Sequence, residues 1–165
     1  MKHTIISFEQ YSGYVAEICR QLSVENWRPD YVVGITRGGC LPAVMISHYM
    51  QIPCEMLKVS LRDDDVNGPE SNLWMAEDAF DGKKILIVDD MNDSGSTLNW
   101  IKEDWPSGCF PHDEKWNNVW NNNVRFAVIV NNATSNFNDV DYYALEVNKF
   151  EDPQWVVFPY EEWWK

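Results

Sequence analysis

The sequence predicts an α/β fold with a central, mainly parallel β-sheet flanked by helices. Three observations carry that expectation. Short β-branched runs alternate with amphipathic segments along the chain. In the run Lys84-Ile85-Leu86-Ile87-Val88 every residue after Lys84 is apolar, as in a strand buried on both faces. The strands end in loops rich in glycine, serine or acidic residues, which is where open parallel sheets hold their ligands. At 165 residues the chain is expected to form one domain, 1–165, since a chain of this size buries about 70% of its unfolded surface in a single core.

The elements follow in order. Ser7 and Gln10 form a capping box, and Tyr11, Val15, Ile18 and Leu22 repeat at helical spacing, so a helix runs to the turn at Trp27-Arg28-Pro29-Asp30. Tyr31-Val32-Val33-Gly34-Ile35 reads as a strand, Arg37-Gly38-Gly39 as a tight loop, and Leu41 to Tyr49 as a helix. A second strand is expected over Glu55 to Leu61, then a polar, acidic flap over about 62–81. After the strand ending at Val88 comes Asp89-Asp90-Met91-Asn92-Asp93-Ser94-Gly95-Ser96-Thr97, with a helix from Leu98. Residues 104–123 show no clear period and read as an irregular insertion. Arg125 to Val130, Tyr142 to Val147 and Trp155 to Phe158 read as strands, the last within a C-terminal segment of about 148–165.

Charge and cysteine usage exclude several function classes. With 26 acidic and 13 basic residues the net charge is −13, a field that repels nucleic acid and anionic membranes. Any phosphate must therefore be held by backbone amides, a positioned arginine or a divalent cation. No apolar run is long enough to span a bilayer and the N-terminus does not read as a signal peptide, so a cytoplasmic setting is expected. Cys19, Cys40, Cys54 and Cys109 are widely spaced and read as buried thiols, and His3, His48 and His112 share no ligand spacing.

The loop from Asp89 to Thr97 is where chemistry is expected. Ser94, Gly95, Ser96 and Thr97 can wrap a phosphate with amides and hydroxyls at a helix start, and Gly95 admits close backbone approach. Asp89 and Asp90 beside that cradle suit sugar hydroxyls or a hydrated magnesium ion. Together these describe a site for a phosphorylated sugar. An EF-hand reading fails because the twelfth position is Ile101 and a strand precedes the loop. A phosphatase-type acidic pocket would need an acid at Met91 and leaves the Ser-Gly-Ser-Thr run unexplained.

The segment ILIVDDMNDSGSTL resembles the signature of the type I phosphoribosyltransferases, and Thr36-Arg37-Gly38-Gly39 resembles that family's pyrophosphate loop. Trp155-Val156-Val157-Phe158-Pro159-Tyr160-Glu161 is similar to the C-terminal base-covering segment of the xanthine-guanine branch. The resemblance implies the type I phosphoribosyltransferase fold and transfer of ribose 5-phosphate from phosphoribosyl pyrophosphate to guanine, xanthine or hypoxanthine, with Mg2+ as cofactor. It implies that Asp89 and Asp90 hold the ribose hydroxyls, directly or through magnesium water. Ser94 to Thr97 would hold the 5-phosphate, and Arg37, Gly38 and Gly39 the pyrophosphate. Asp93 would exchange the N7 proton. Trp155 would stack on the base, the Val156 backbone would read its edge, and Glu161 would sit near a second magnesium's water shell. The flap would close over the site.

Two positions depart from the family pattern. Asn132 stands where purine enzymes place the lysine that donates to the 6-oxo group, and Ser94 replaces a threonine. An amide can donate or accept, so Asn132 leaves the base open. A homo-oligomer, dimer or tetramer, is expected by family analogy. The alternative is a non-catalytic sensor of phosphoribosyl pyrophosphate or a nucleotide.

Overall fold

The computed structural model describes residues 1–59 and 72–165. Five strands form one sheet in the order β3-β2-β4-β5-β6: β2 is Tyr31–Thr36, β3 Cys54–Lys58, β4 Ile85–Asn92, β5 Val124–Asn132 and β6 Tyr142–Val147. Every pairing in it is parallel. The chain steps from β2 outward to β3, then crosses back to β4 on the other side. The strand order therefore reverses between β2 and β4, and the crevice beyond their carboxyl ends is where an open parallel sheet binds ligands. The 37–39 loop leaves β2 there; of the expected loop 89–97, Asp89 to Asn92 continue β4 and a helix opens at Ser96, so only 93–95 join strand to helix. A separate two-stranded parallel ribbon joins β1 (Lys2–Ile5) to β7 (Gln154–Val157).

Side-chain alternation along the central strands feeds two cores, one on each face. In β4, Leu86 and Val88 point to the face covered by α1 (Phe8–Val24) and α2 (Cys40–Met50). Ile85 and Ile87 point to the face covered by α3 (Leu73–Phe80) and α4 (Ser96–Gly108). All four are fully buried, which explains why that run is apolar throughout. The capping box of α1 forms as the sequence predicts: Gln10 N–H donates to Ser7 Oγ at 3.1 Å and Ser7 N–H to Gln10 Oε1 at 2.9 Å. Among the described residues no helix is long and apolar enough to cross a membrane.

Three expectations change. The last third of the expected flap is the helix α3, whose Met75, Ala76 and Ala79 are buried in the core. Their spacing is that of one helix face, but acidic neighbours such as Glu77 and Asp78 obscure it. Residues 60–71, which include most of the rest of that stretch and the last two residues expected in the second strand, lie outside the described residues; that strand is seen over Cys54–Lys58. The stretch 104–123, expected as an irregular insertion, sends Trp105, Cys109, Trp116 and Val119 into the core. It comprises the end of α4, a 3-10 helix over Glu114–Asn118, and an aromatic ladder. In that ladder Phe80, Trp116, Trp120 and Phe126 follow one another at centroid spacings of 5.6, 5.7 and 6.0 Å. Aromatic stacking has no 3.6-residue period, so a period search passes over it. Finally, β1 was not expected. It is a short, exposed strand made only by its pairing with β7.

Candidate active site

Two clusters flank the carboxyl end of β4. The first gathers the acidic pair and the Arg37-Gly38-Gly39 loop. Gly38 lies directly against Asp90, so a Cβ there would collide with the Asp90 carboxylate, and one at Gly39 would collide with the Val88 carbonyl. The loop thus needs both glycines to pack on β4. The Thr36–Arg37 peptide bond is cis. Tyr160, from the segment after β7, donates its hydroxyl to Asp90 Oδ2 at 2.9 Å, with the Gly38 carbonyl at 3.2 Å. Asp90 N–H donates to Asp89 Oδ1 at 2.8 Å.

Electrostatics in this cluster are unbalanced. Burial first, then the neighbouring Asp90 charge, push the Asp89 carboxyl well above the usual carboxylate range. Burial and Asp90 likewise raise Glu161, partly offset by Arg37. Tyr160 and Tyr11 are pushed up by burial and then by Asp90, so both phenols stay protonated. Tyr11 Oη is buried without a hydrogen-bond partner. Neither Asp89 nor Asp90 forms an ion pair with a described residue, and among the described residues no group of three or more acidic, histidine or cysteine side chains is arranged as a metal cage.

The second cluster begins one turn of loop later. Gly95 adopts φ +92° as the N-cap of α4, a conformation that glycine takes without steric cost, and a Cβ there would strike Phe137 and Ser135. The first intrahelical bond is Asn99 N–H to the Gly95 carbonyl at 3.0 Å, which leaves the amides of Thr97 and Leu98 ahead of the helical ladder, while Ser96 N–H donates to Ser94 Oγ at 3.3 Å. They face a cavity of about 80 Å³ lined by the run from Met91 to Leu98. Ser94 and Ser96 are exposed, their hydroxyls 3.0 Å apart.

Asp93 is exposed beside this cavity, and Lys149 Nζ reaches its Oδ2 at 3.0 Å. The same Nζ lies 5.8 Å from the centre of the Trp155 ring, which is 53% exposed. Sequence reading missed Lys149: it lies 56 residues from Asp93 in an acidic turn, and no local motif marks it. Val157 C=O accepts from Ile6 N–H at 2.9 Å, so strand alternation turns the Val156 N–H and C=O away from β1.

Asn132, expected to read the base, lies buried at the end of β5. It is 7% exposed and its amide is occupied at both ends. Nδ2 donates to the Asp93 carbonyl at 3.1 Å and lies 3.4 Å from Asp93 Oδ1. Oδ1 accepts from Thr134 Oγ1 at 3.0 Å and Lys149 N–H at 3.1 Å. Asn132 therefore ties the Asp93 loop to the Lys149 turn.

The geometry agrees with what comparison finds. A phosphoribosyl transferase domain model matches residues 8–163. The xanthine-guanine phosphoribosyltransferase of Cereibacter sphaeroides is 32% identical over 138 residues, 82% of this chain and 70% of that protein. Xanthine phosphoribosyltransferase 1 of Saccharomyces cerevisiae is 29% identical over 117 residues, 58% of this chain and 56% of that protein. In fold, the chain is similar to the purine phosphoribosyltransferase of Pyrococcus horikoshii Ot3, with a TM-score of 0.69 at 22% identity over 98% of this chain and 96% of that one. With a match over nearly its whole length and a sheet whose switch point carries both loops, the chain belongs to the phosphoribosyl transferase domain family.

Proposed function

We propose that this protein is a cytoplasmic, magnesium-dependent purine-salvage phosphoribosyltransferase, moving ribose 5-phosphate from phosphoribosyl pyrophosphate to a purine and releasing pyrophosphate. The observation that carries this reading is the gathering at the carboxyl end of the sheet of three parts: the pyrophosphate loop packed on the acidic pair, the serine-rich cradle at the start of α4, and Asp93 joined through Lys149 to the exposed Trp155.

Each part has a task. The amides and hydroxyls of Ser94 to Thr97 grip the 5-phosphate, so binding energy remote from the reacting carbon orients the sugar. Asp89 and Asp90 accept from the ribose hydroxyls. Arg37 and the Gly38 and Gly39 backbone hold the pyrophosphate and offset the charge that grows on it as the glycosidic bond breaks. Asp93 receives the proton released at N7 as the base attacks. Trp155 stacks on the base and the outward Val156 backbone meets its edge.

The donor set fits magnesium. The paired carboxylates of Asp89 and Asp90, with Glu161 close enough to feel the Asp90 charge, suit a hard divalent cation, and these three residues would hold it. Such an ion supplies charge neutralisation at the departing pyrophosphate.

The test is pyrophosphate release from phosphoribosyl pyrophosphate and magnesium, with guanine, xanthine, hypoxanthine, adenine and uracil offered separately and binding followed by thermal shift. Release with a purine is the expected result. Magnesium-dependent binding without release from any base would replace the enzyme with a sensor, and absence of binding would overturn the whole assignment.

A further inference from the structure

The loop that carries the phosphate cradle has little of its own to hold it in shape. Only residues 93–95 join β4 to α4, and Gly95, the N-cap of α4, places no side-chain cap on the first amides of the helix. Those amides stay available to a ligand, and the geometry of the loop must be fixed from outside. The support is the segment 133–137, which follows β5. Asn136 N–H donates to the Ser94 carbonyl at 3.0 Å, and Asn99 Nδ2 of α4 donates to the Asn136 carbonyl at 3.3 Å. Gly95 lies so close to Ser135 and Phe137 that a Cβ would collide with both.

A buried polar pair pins this segment to β4. Asn92, the last residue of β4, is 2% exposed and Ser135 7%. Ser135 Oγ donates to Asn92 Oδ1 at 2.8 Å and accepts from Phe137 N–H at 3.1 Å. Asn92 Nδ2 donates to the Phe137 carbonyl and to Oδ1 of Asn131, its cross-strand neighbour on β5, both at 2.9 Å. Both hydrogens and the oxygen of the Asn92 amide are thus used, and the Ser135 hydroxyl both donates and accepts. A buried network this complete specifies one arrangement, since any other strands a donor or an acceptor. An apolar pair at 92 and 135 would fill the space without fixing the Phe137 backbone or, through Asn136, the Ser94 carbonyl.

We propose that Asn92 and Ser135 are positioning residues for the 5-phosphate, holding segment 133–137 against β4 so that Gly95 and the first amides of α4 stand in the gripping arrangement before the ligand arrives. The inference rests on the reading of 94–97 as the phosphate cradle. Neither residue touches the ligand. Their effect is preorganisation: a loop already ordered loses no further freedom on binding.

Ser135→Ala, Asn92→Ala and the double variant test this by calorimetric titration with ribose 5-phosphate and, separately, with pyrophosphate and magnesium, with a melting curve for each protein. Ser135→Ala is expected to weaken ribose 5-phosphate about tenfold, the scale of one or two neutral hydrogen bonds, and to leave pyrophosphate affinity unchanged. Both residues act through one brace, so the double variant loses no more than the weaker-binding single variant; additive losses would overturn the shared brace. If Ser135→Ala does not fold, Ser135→Cys, which fills the same space with a weak donor and acceptor, is compared with the wild type in the same way. Ribose 5-phosphate affinity equal to that of the wild type would overturn the role of the pair, as would equal losses for both ligands in step with a lower melting temperature. A wild type that binds no ribose 5-phosphate would overturn the cradle reading, and the brace with it. Both affinities are read without turnover, so they hold whichever base, if any, the protein converts.

Discussion

The end of β4 places carboxylates in two electrostatic settings only a few residues apart. Asp89 and Asp90 face each other's charge, with a phenol and a backbone amide as partners and no ion pair to a described residue. Asp93, in the exposed loop beyond, carries its own counter-ion in Lys149. Like charges kept together at a cost are a mark of a site that waits for something from outside. A carboxylate with a resident ammonium needs no such visitor. The contrast separates the two tasks of the proposed reaction: the first pair awaits substrate hydroxyls and a substrate-borne cation, while the second handles a proton on a neutral base.

The largest effect is expected at the second setting. Asp93→Asn should lower kcat by about 10²- to 10⁴-fold, the usual contribution of a positioned general base, with KM for phosphoribosyl pyrophosphate nearly unchanged. Stability should hardly move, because a half-exposed ion pair contributes only about 0–1 kcal/mol. Steady-state kinetics with a melting curve checks both. An unchanged kcat would remove Asp93 from proton transfer and erase the contrast.

At the first setting, Asp89→Asn should weaken phosphoribosyl pyrophosphate binding by about 10- to 100-fold while raising the melting temperature at neutral pH. The sign follows from linkage. The folded carboxyl lies above its unfolded value, so the native state binds the proton more tightly, and stability is lost as pH rises from the ordinary carboxylate range through the raised value. Removing the charge removes that loss, so variant and parent should converge at low pH. Substrate must find the pair ionised, so affinity should rise with pH through the same window and binding should release a proton. Calorimetry in buffers of different ionisation enthalpy reads that proton directly. Between the two settings, Thr97→Val should cost about tenfold in affinity for the 5-phosphate, measurable by titration with ribose 5-phosphate, and leave base preference alone.

How much of this was legible in the sequence depends on the range of the interaction. The strand β4, the loops at its end and beside it, and the capping box of α1 are local, and periodicity and turn chemistry reveal them. The ribbon of β1 and β7 joins residues about 150 apart; β7 shows in the sequence as the run Trp155 to Phe158, whereas β1 has nothing local to declare it. The aromatic ladder through 104–123 was seen as composition but not as core. Asn132 shows most clearly what sequence cannot supply. Its position, the last of β5, matches a base contact of the family, yet its amide bonds to partners from the Asp93 loop and the Lys149 turn. Lys149 is the converse: no motif surrounds it, and only the fold brings it to Asp93.

The smallest expected effect concerns the link from the C-terminal segment back to the acidic pair. Tyr160 packs edge-on against Tyr11 at 5.8 Å and stacks on Phe158 at 5.7 Å, so Tyr160→Phe should keep the ring in place and the fold intact. What it loses is the donor to Asp90 Oδ2, whose phenol burial keeps protonated at any working pH. Freed of that donor, Asp90 can turn away from the ribose position, and KM for phosphoribosyl pyrophosphate should rise about 3- to 10-fold with little change in kcat. The same bond joins the segment bearing Trp155 to the Gly38 loop, so phosphoribosyl pyrophosphate and base should each strengthen the other's binding in the wild type and do so less in Tyr160→Phe. Calorimetric titration of the base with and without pyrophosphate and magnesium measures that coupling. Equal coupling in the two proteins would reduce Tyr160 to a packing residue and leave the two settings of β4 energetically independent.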